Sequence, residues 1–277
     1  MNSSSTKLAK QLRLHALEMT HLGNSSHIGS ILSICDILAV LYENILHIDP
    51  KNPKLENRDR FILSKGHAGA GVYAALAEKG FFDKEELKKH YSDGSLFSGH
   101  VSHKEIPGVE LSTGSLGHGL SVACGSAFGA KLDNKSHRVF NLMSDGECDE
   151  GSNWEAIMFA AHNKLNRLIV TVDDNKQQID GSTLDIMGFT DLGAKFESFG
   201  WNVAHMNGNN MDDILDTVKT VQAAAENIDK PTVIIMETEM GQGVDFMMGS
   251  HKWHGVAPND EQLEQALAQL PETLGDY

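Results

Sequence analysis

Apolar and polar positions along this chain alternate between two repeats. Residues 7–22 set Leu8, Leu12, Leu17 and Met19 broadly on one side of a 3.6-residue period and end in Gly23-Asn24, which predicts an amphipathic helix with a C-terminal stop. A second apolar helix is expected over 31–46, entered through Ser25-Ser26-His27-Ile28-Gly29-Ser30, whose serines suit capping. Short apolar runs at 61–63, 139–143, 168–172 and 232–237 predict strands, and 201–206 reads as another. Helical patterns at 70–79, 120–132, 152–164, 192–199 and 211–227 separate them, 83–90 reads as a charged, solvated helix, and a short helix is expected over 260–269. Strand and helix alternate without a linker or repeat. The expected fold is therefore α/β: one doubly wound, mostly parallel sheet with helices on both faces, forming a single domain over 1–277.

That architecture directs attention to strand ends, because open parallel sheets bind ligands at the carboxyl edge. The run 139–143 leads into Ser144-Asp145-Gly146, a helix follows, and the run 168–172 ends in Asp173-Asp174-Asn175. A right-handed βαβ unit brings Asp145 and Asn175 out at the same edge. One carboxylate and one amide carbonyl beside a glycine suit Mg²⁺, a hard cation completed by phosphate oxygens and water. The same residues also read as a plain Asp-Gly turn and a surface Asn. Ser64-Lys65-Gly66-His67, directly after the strand at 61–63, reads either as an anion site or as a tight turn. His27 sits at the positive end of a helix, as a capping, packing or functional residue. Ser112-Thr113-Gly114-Ser115-Leu116-Gly117-His118-Gly119 is a glycine loop whose amides can face a ligand, but it lacks the Gly-Lys-Ser/Thr of a P-loop. His100 and His103 have the spacing of a zinc pair, with no Cys or carboxylate cluster nearby to complete a tetrahedral site.

Composition narrows the function class. The formal net charge is -15 and no stretch concentrates the 23 Lys and Arg, which argues against nucleic-acid or anionic-membrane binding. An anionic ligand must then be held by local groups such as a metal, histidines and backbone N–H. Cys35, Cys124 and Cys148 lack metal-ligand spacing and suggest buried thiols in a reducing compartment. There is no N-terminal apolar leader and no run of membrane-spanning length, so a cytoplasmic protein is expected.

The motifs form an ordered set: Ser26-His27, Asn57-Arg-Asp-Arg-Phe-Ile-Leu-Ser-Lys-Gly-His67, Gly99-His100, Pro107-Gly-Val-Glu110, Ser112-Thr-Gly-Ser-Leu-Gly117 and Asp145-Gly146, then Glu150-Gly151, Asp174-Asn175, Ile179-Asp-Gly181 and Trp253-His-Gly255. Together they resemble the N-terminal, diphosphate-binding half of transketolase, and most closely the separately encoded N-terminal subunit of split transketolases. The resemblance implies thiamine diphosphate with Mg²⁺ or another divalent cation such as Ca²⁺ or Mn²⁺. It makes Asp145 and Asn175 metal ligands through their side chains and Gln177 through its carbonyl. Cofactor-binding residues would be Ser30, His67, Gly114, Ser115, Leu116, Asp145, Gly146, Glu147, Asn175, Ile179 and His254. Catalytic roles would fall to His27, His67, His100 and His254, with His27 and His100 holding ketose hydroxyls. His254 is preferred to His251 because Gly255 follows it. Glu150 resembles a carboxylate between paired active sites.

By the same resemblance the reaction moves a two-carbon ketol group from a ketose phosphate to an aldose, as in the pentose phosphate pathway. The groups that activate the cofactor's aminopyrimidine would come from a separate chain, carrying the pyrimidine-binding and C-terminal domains, in a heterotetramer. Ser144 departs from the family's Gly-Asp-Gly, and Gln177 and Met240 occupy variable cofactor-side positions. Three other readings share these residues: a ketol transferase specialised for a sugar such as apulose 4-phosphate, a non-catalytic regulatory chain, and a zinc hydrolase built from the 14 histidines.

Overall fold

Strands covered on both faces must be apolar throughout, and the central runs of this chain are. In the computed structural model, which describes residues 3–188 and 191–273, the strands are β1 (Arg60–Leu63), β2 (Val139–Ser144), β3 (Leu168–Asp174), β4 (Gln177–Gln178), β5 (Gly181–Ser182), β6 (Asn202–Asn207) and β7 (Thr232–Glu237). Five of them make one sheet in the order β1-β2-β3-β7-β6, every pair parallel, while β4 and β5 form a small antiparallel hairpin. The helices are α1 (Ser3–Leu22), α2 (Ile28–Leu32), α3 (Cys35–Val40), α4 (Gly69–Glu78), α5 (Gly119–Leu132), α6 (Gly151–His162), α7 (Thr183–Ile186), α8 (Leu192–Ser198), α9 (Met211–Ala225), α10 (Lys252–Gly255) and α11 (Asp260–Thr273). The doubly wound parallel sheet is as expected. Residues 1 and 277, the expected domain limits, lie outside the described residues.

The period-2 geometry of the strands divides the core in two. Phe140 and Leu142 of β2, Ile169 of β3 and Ile234 and Met236 of β7 pack with α1–α4, α9 and α11. Their neighbours Val139 and Met143, Val170 and Val172, and Val233 and Ile235 pack with α5, α6 and α8 on the other face. Burying each such side chain is worth roughly 1.5–3 kcal/mol, so the register of the central strands is strongly set. Among the described residues no helix is long and apolar enough to cross a membrane.

Two expected helices differ from the observed ones. Residues 31–46 are broken into α2, α3 and a π-helical turn, Leu41–Ile45, closed by the Leu46 N–H to Leu41 C=O bond (2.8 Å). The break falls at Ser33, whose hydroxyl donates both to the Ser30 carbonyl (3.0 Å) and to Asp173 (2.8 Å), competing with the helical ladder. The charged segment 83–90 is a 3₁₀ run, Lys84–Lys89, capped by Asp83 and laced by Glu85–Lys88 and Glu86–Lys89 ion pairs. Those i,i+3 pairs stand directly over one another in a three-residue turn.

Candidate active site

The carboxyl ends of β1, β2 and β3 empty onto one edge, where each strand is followed at once by a polar loop: Ser64-Lys65-Gly66-His67, Asp145-Gly146 and Asn175. The start of α2, the glycine loop before α5 and the segment around α10 close over them. Between these elements lies an open pocket of about 250 Å³. Four imidazoles wall one side of it, those of His27, His67, His100 and His254. The His27 ring centroid is 5.0 Å from that of His67, 5.5 Å from His100 and 5.1 Å from His254, and His67 and His254 are 5.1 Å apart. Residues from four distant parts of the chain thus share one wall, which the motifs suggested but their spacing could not.

These rings are held uncharged. Burial, then the neighbouring His254, His100 and Lys65, lower His27 to about 4. Burial and Lys65 lower His254 to about 4, burial, Lys65 and the other rings take His67 well below its ordinary value of 6.5, and burial lowers His100. Neutral imidazoles can each donate and accept, which is what shuttling protons among hydroxyls requires. His27 also holds a left-handed backbone (φ 77°), stabilised by its N–H donating to the His254 carbonyl (2.9 Å). Such strain in a non-glycine residue is concentrated at functional sites. Among the described residues, His27 Nδ1 and His254 Nδ1 are buried without a partner, which leaves the wall short of hydrogen bonds.

Beneath the wall lies the opposite arrangement. Lys65 and Asp173 are both 0% exposed and pair at 2.5 Å. Lys65 Nζ also donates to Ser30 Oγ and to the Ser30 carbonyl, both at 2.9 Å. Asp173 further accepts from Ser33 Oγ, Asn175 Nδ2 and Thr238 Oγ1. Lys65 therefore does not face the pocket, and the Ser64-Lys65-Gly66-His67 loop is divided: His67 faces the pocket and Lys65 the interior. Gly66 is required at that bend, because a Cβ there would lie 2.3 Å from the Thr113 carbonyl oxygen.

The strand-end residues form the remaining side. Ser144, Gly146 and Asn175 line the pocket, as do Gln177, Gln178 and Ile179 of the β4–β5 hairpin, together with Ser30, Gly114 and Leu116. Asn175 Nδ2 donates to Asp173 (2.9 Å), so its Oδ1 is turned the other way, accepting from the Gln177 N–H (3.0 Å) with a lone pair left over. Asp145 does not line this pocket: it borders an adjacent one with Asp174 and Lys176. It is buried, accepts from the Gly146 and Lys176 N–H groups at 2.8 Å each, and is raised to about 8 by burial and then by Asp173. Gln178 is a lining residue that the sequence did not single out. Its amide donates to Asp149 (2.9 Å) and its side chain covers Gly146, where a Cβ would approach to 2.8 Å.

Other expected residues stand apart from the lining. Glu147 is 0% exposed and accepts from Ser64 Oγ (2.5 Å) and the Gly117 N–H (2.8 Å), tying the loops together from behind. Ser115 is exposed beside the pocket, and Glu150 is exposed at the start of α6. Met240 is fully buried under Gly29. His251 is exposed while His254 faces the cluster. His103 turns away from His100 and pairs with Ser112 Oγ (2.7 Å).

The family described as transketolase, thiamine diphosphate binding domain, matches residues 4–272. The chain belongs to the transketolase family. It is 38% identical over 262 residues to one of the subunits of the apulose-4-phosphate transketolase of Phocaeicola vulgatus, covering 95% of this chain and 92% of that one. It is 40% identical over 244 residues to the 6-deoxy-6-sulfo-D-fructose transketolase subunit SqwG of a Clostridium species, covering 88% of each. Among solved structures, transketolase from Campylobacter jejuni superposes with a TM-score of 0.90 at 32% identity, over 98% of this chain and 43% of that one. The chain thus spans less than half the length of that transketolase. Transketolases are transferases, and the matched part is the one that binds thiamine diphosphate.

The transketolase pocket fits its cofactor's anionic end. A carboxyl group that burial keeps from ionising is stabilised as a carboxylate by a dication, and Asp145 is such a group. Neutral ring donors suit a diphosphate better than a carboxylate-lined wall would.

Proposed function

We propose that this chain is the diphosphate-side subunit of a two-chain, thiamine diphosphate-dependent transketolase, transferring a two-carbon ketol group from a ketose phosphate to an aldose or aldose phosphate. The observation that carries the reading is the wall of four neutral imidazoles set against Gly146 and Asn175 at the carboxyl edge of the sheet, with Asp145 buried directly behind Gly146. When bound, the cofactor supplies the electron sink for breaking and making the carbon–carbon bond. The chain's residues do the rest. Asp145 and the Asn175 Oδ1, with the Gln177 carbonyl, are the oxygen donors for Mg²⁺ or a related divalent cation. Gly146, Gly114, Ser115 and Leu116 line the approach to the cofactor, Ile179 packs against it, and His67 and His254 donate to its anionic end. His27 and His100, nearer the mouth, hold substrate hydroxyls and move their protons. Ser30 and Glu147 act through the residues they fix.

A partner chain is supported by the near full-length match to relatives named as transketolase subunits. That partner would bring the pyrimidine-binding and C-terminal domains in a cytoplasmic heterotetramer. The names of those relatives also favour a second reading of the substrate, an unusual ketose phosphate or a sulfonated ketose in place of the pentose phosphates. The test is a ketol-transfer assay on the chain alone and reconstituted with its partner, run with a panel of ketose donors. Transfer only by the pair is expected, and the preferred donor decides the pathway. Transfer by the single chain would overturn the two-chain reading. No transfer by a pair that binds the cofactor would favour a regulatory role.

A further inference from the structure

An imidazole offers two nitrogens, and a neutral ring is a donor at only one of them, so the neighbour of one nitrogen decides what the other presents. His67 Nε2 lies 2.9 Å from Ser30 Oγ, and among the described residues that hydroxyl oxygen also meets Lys65 Nζ, again at 2.9 Å. All three Lys65 N–H groups are committed, to Asp173, to the Ser30 carbonyl and to Ser30 Oγ. An ammonium has no lone pair, so in the Lys65–Ser30 bond the hydroxyl must accept. Ser30 is 1% exposed, and its own hydrogen has an acceptor within reach in His67 Nε2.

We infer that Lys65 and Ser30 are positioning residues that lock His67 in the Nδ1–H tautomer, with Nε2 accepting from Ser30, so that the ring presents a fixed donor to the pocket. Burial and the nearby Lys65 cation both disfavour a second ring proton, which keeps the choice between tautomers meaningful across neutral pH. The His67 ring itself lines the pocket, with its Nε2 turned inward to Ser30. The Lys65–Asp173 pair thus serves both sides of the site: through Ser30 it sets a donor at His67, and through Asp173 it sets an acceptor at Asn175 Oδ1. That the donor serves the diphosphate rests on the proposed function; the tautomer itself does not.

The test is long-range ¹H–¹⁵N correlation on histidine-labelled, cofactor-free protein. It is followed by calorimetry of thiamine diphosphate with Mg²⁺ in the reconstituted complex. In the unaltered chain, His67 should show a protonated Nδ1 and a bare Nε2. Ser30→Ala keeps the Lys65 bonds to Asp173 and the Ser30 backbone but removes the hydroxyl, and should leave His67 averaging between tautomers. Ser30→Thr should restore the single tautomer, and Ser33→Ala, which touches Asp173 but not His67, should not change it. A protonated Nε2 in the unaltered chain, or an unchanged tautomer in folded Ser30→Ala, would overturn the inference. Cofactor affinity should fall about three- to tenfold in Ser30→Ala, the worth of one well-placed hydrogen bond. Unchanged affinity alongside a lost tautomer would overturn the donor role while leaving the lock. Absence of cofactor binding by the unaltered complex would instead count against the proposed function.

Discussion

The wall and the floor of the pocket are built from the same loops and behave in opposite ways. The floor is saturated: Lys65 spends all three donors, and Asp173 accepts from a lysine, two hydroxyls and an amide in full burial. The wall holds four neutral imidazoles, two of which have a buried Nδ1 with no partner among the described residues. A network that satisfies itself fixes geometry and has nothing left to offer a ligand; one left short is where a ligand completes the structure. The contrast separates residues that set the site's shape from those that meet its occupant.

The contrast is broken most severely by Asp173→Ala, which strands a buried lysine cation. A loss of about 3–5 kcal/mol in urea unfolding is expected, with the pocket lost alongside. The paired replacement Lys65→Met with Asp173→Leu should recover most of that stability but not cofactor binding. A single Asp173 variant as stable as the parent would show that the floor is not the rigid element.

The wall responds to pH instead. His27 and His254 of the wall, and His90, which is buried outside the pocket beside Ser25 and Tyr73, sit at about 4 in the folded chain against 6.5 ordinarily, chiefly through burial. Through these rings the unfolded chain binds more protons between those values, so they make stability rise with pH across that window and add no slope above it. Asp145, raised to about 8, gives an opposing slope of one group that continues to about pH 8. The slope is at most about 1.4 kcal/mol per pH unit for each group, and smaller for the partly exposed His27 and His254. Chemical denaturation at pH values of about 4.5, 5.5, 6.5 and 7.5 measures it; stability that is level below the ordinary histidine value would contradict neutral, buried rings.

Smallest in stability is His100→Ala, at the exposed mouth, where a change within about 0.5 kcal/mol is expected. Ketol transfer by the reconstituted enzyme should nonetheless drop sharply with little change in cofactor affinity. An equal loss of both would move His100 from the substrate side to the cofactor side.

The sheet was legible because β2, β3 and β7 are apolar at consecutive positions, a pattern that a doubly covered strand satisfies. The break at Ser33 was not, because it depends on a partner, Asp173, 140 positions away. At the site, glycine spacing and histidine motifs indicated the wall. The inward turn of Lys65 was hidden, since a lysine beside a glycine and a histidine reads alike facing a ligand or a counter-ion. One signal did exist: Asp173 ends an apolar run, where strand alternation turns one of Asp173 and Asp174 inward. Gln178 escaped notice because its role comes from a hairpin folding back over Gly146.

The most direct test is calorimetric titration of thiamine diphosphate with Mg²⁺ into this chain, alone and with its partner chain. Saturable binding is expected, tight in the pair and weak or undetectable in the single chain, because the unsaturated wall supplies only the diphosphate side. Absence of binding in both would contradict the reading of the wall as a cofactor site.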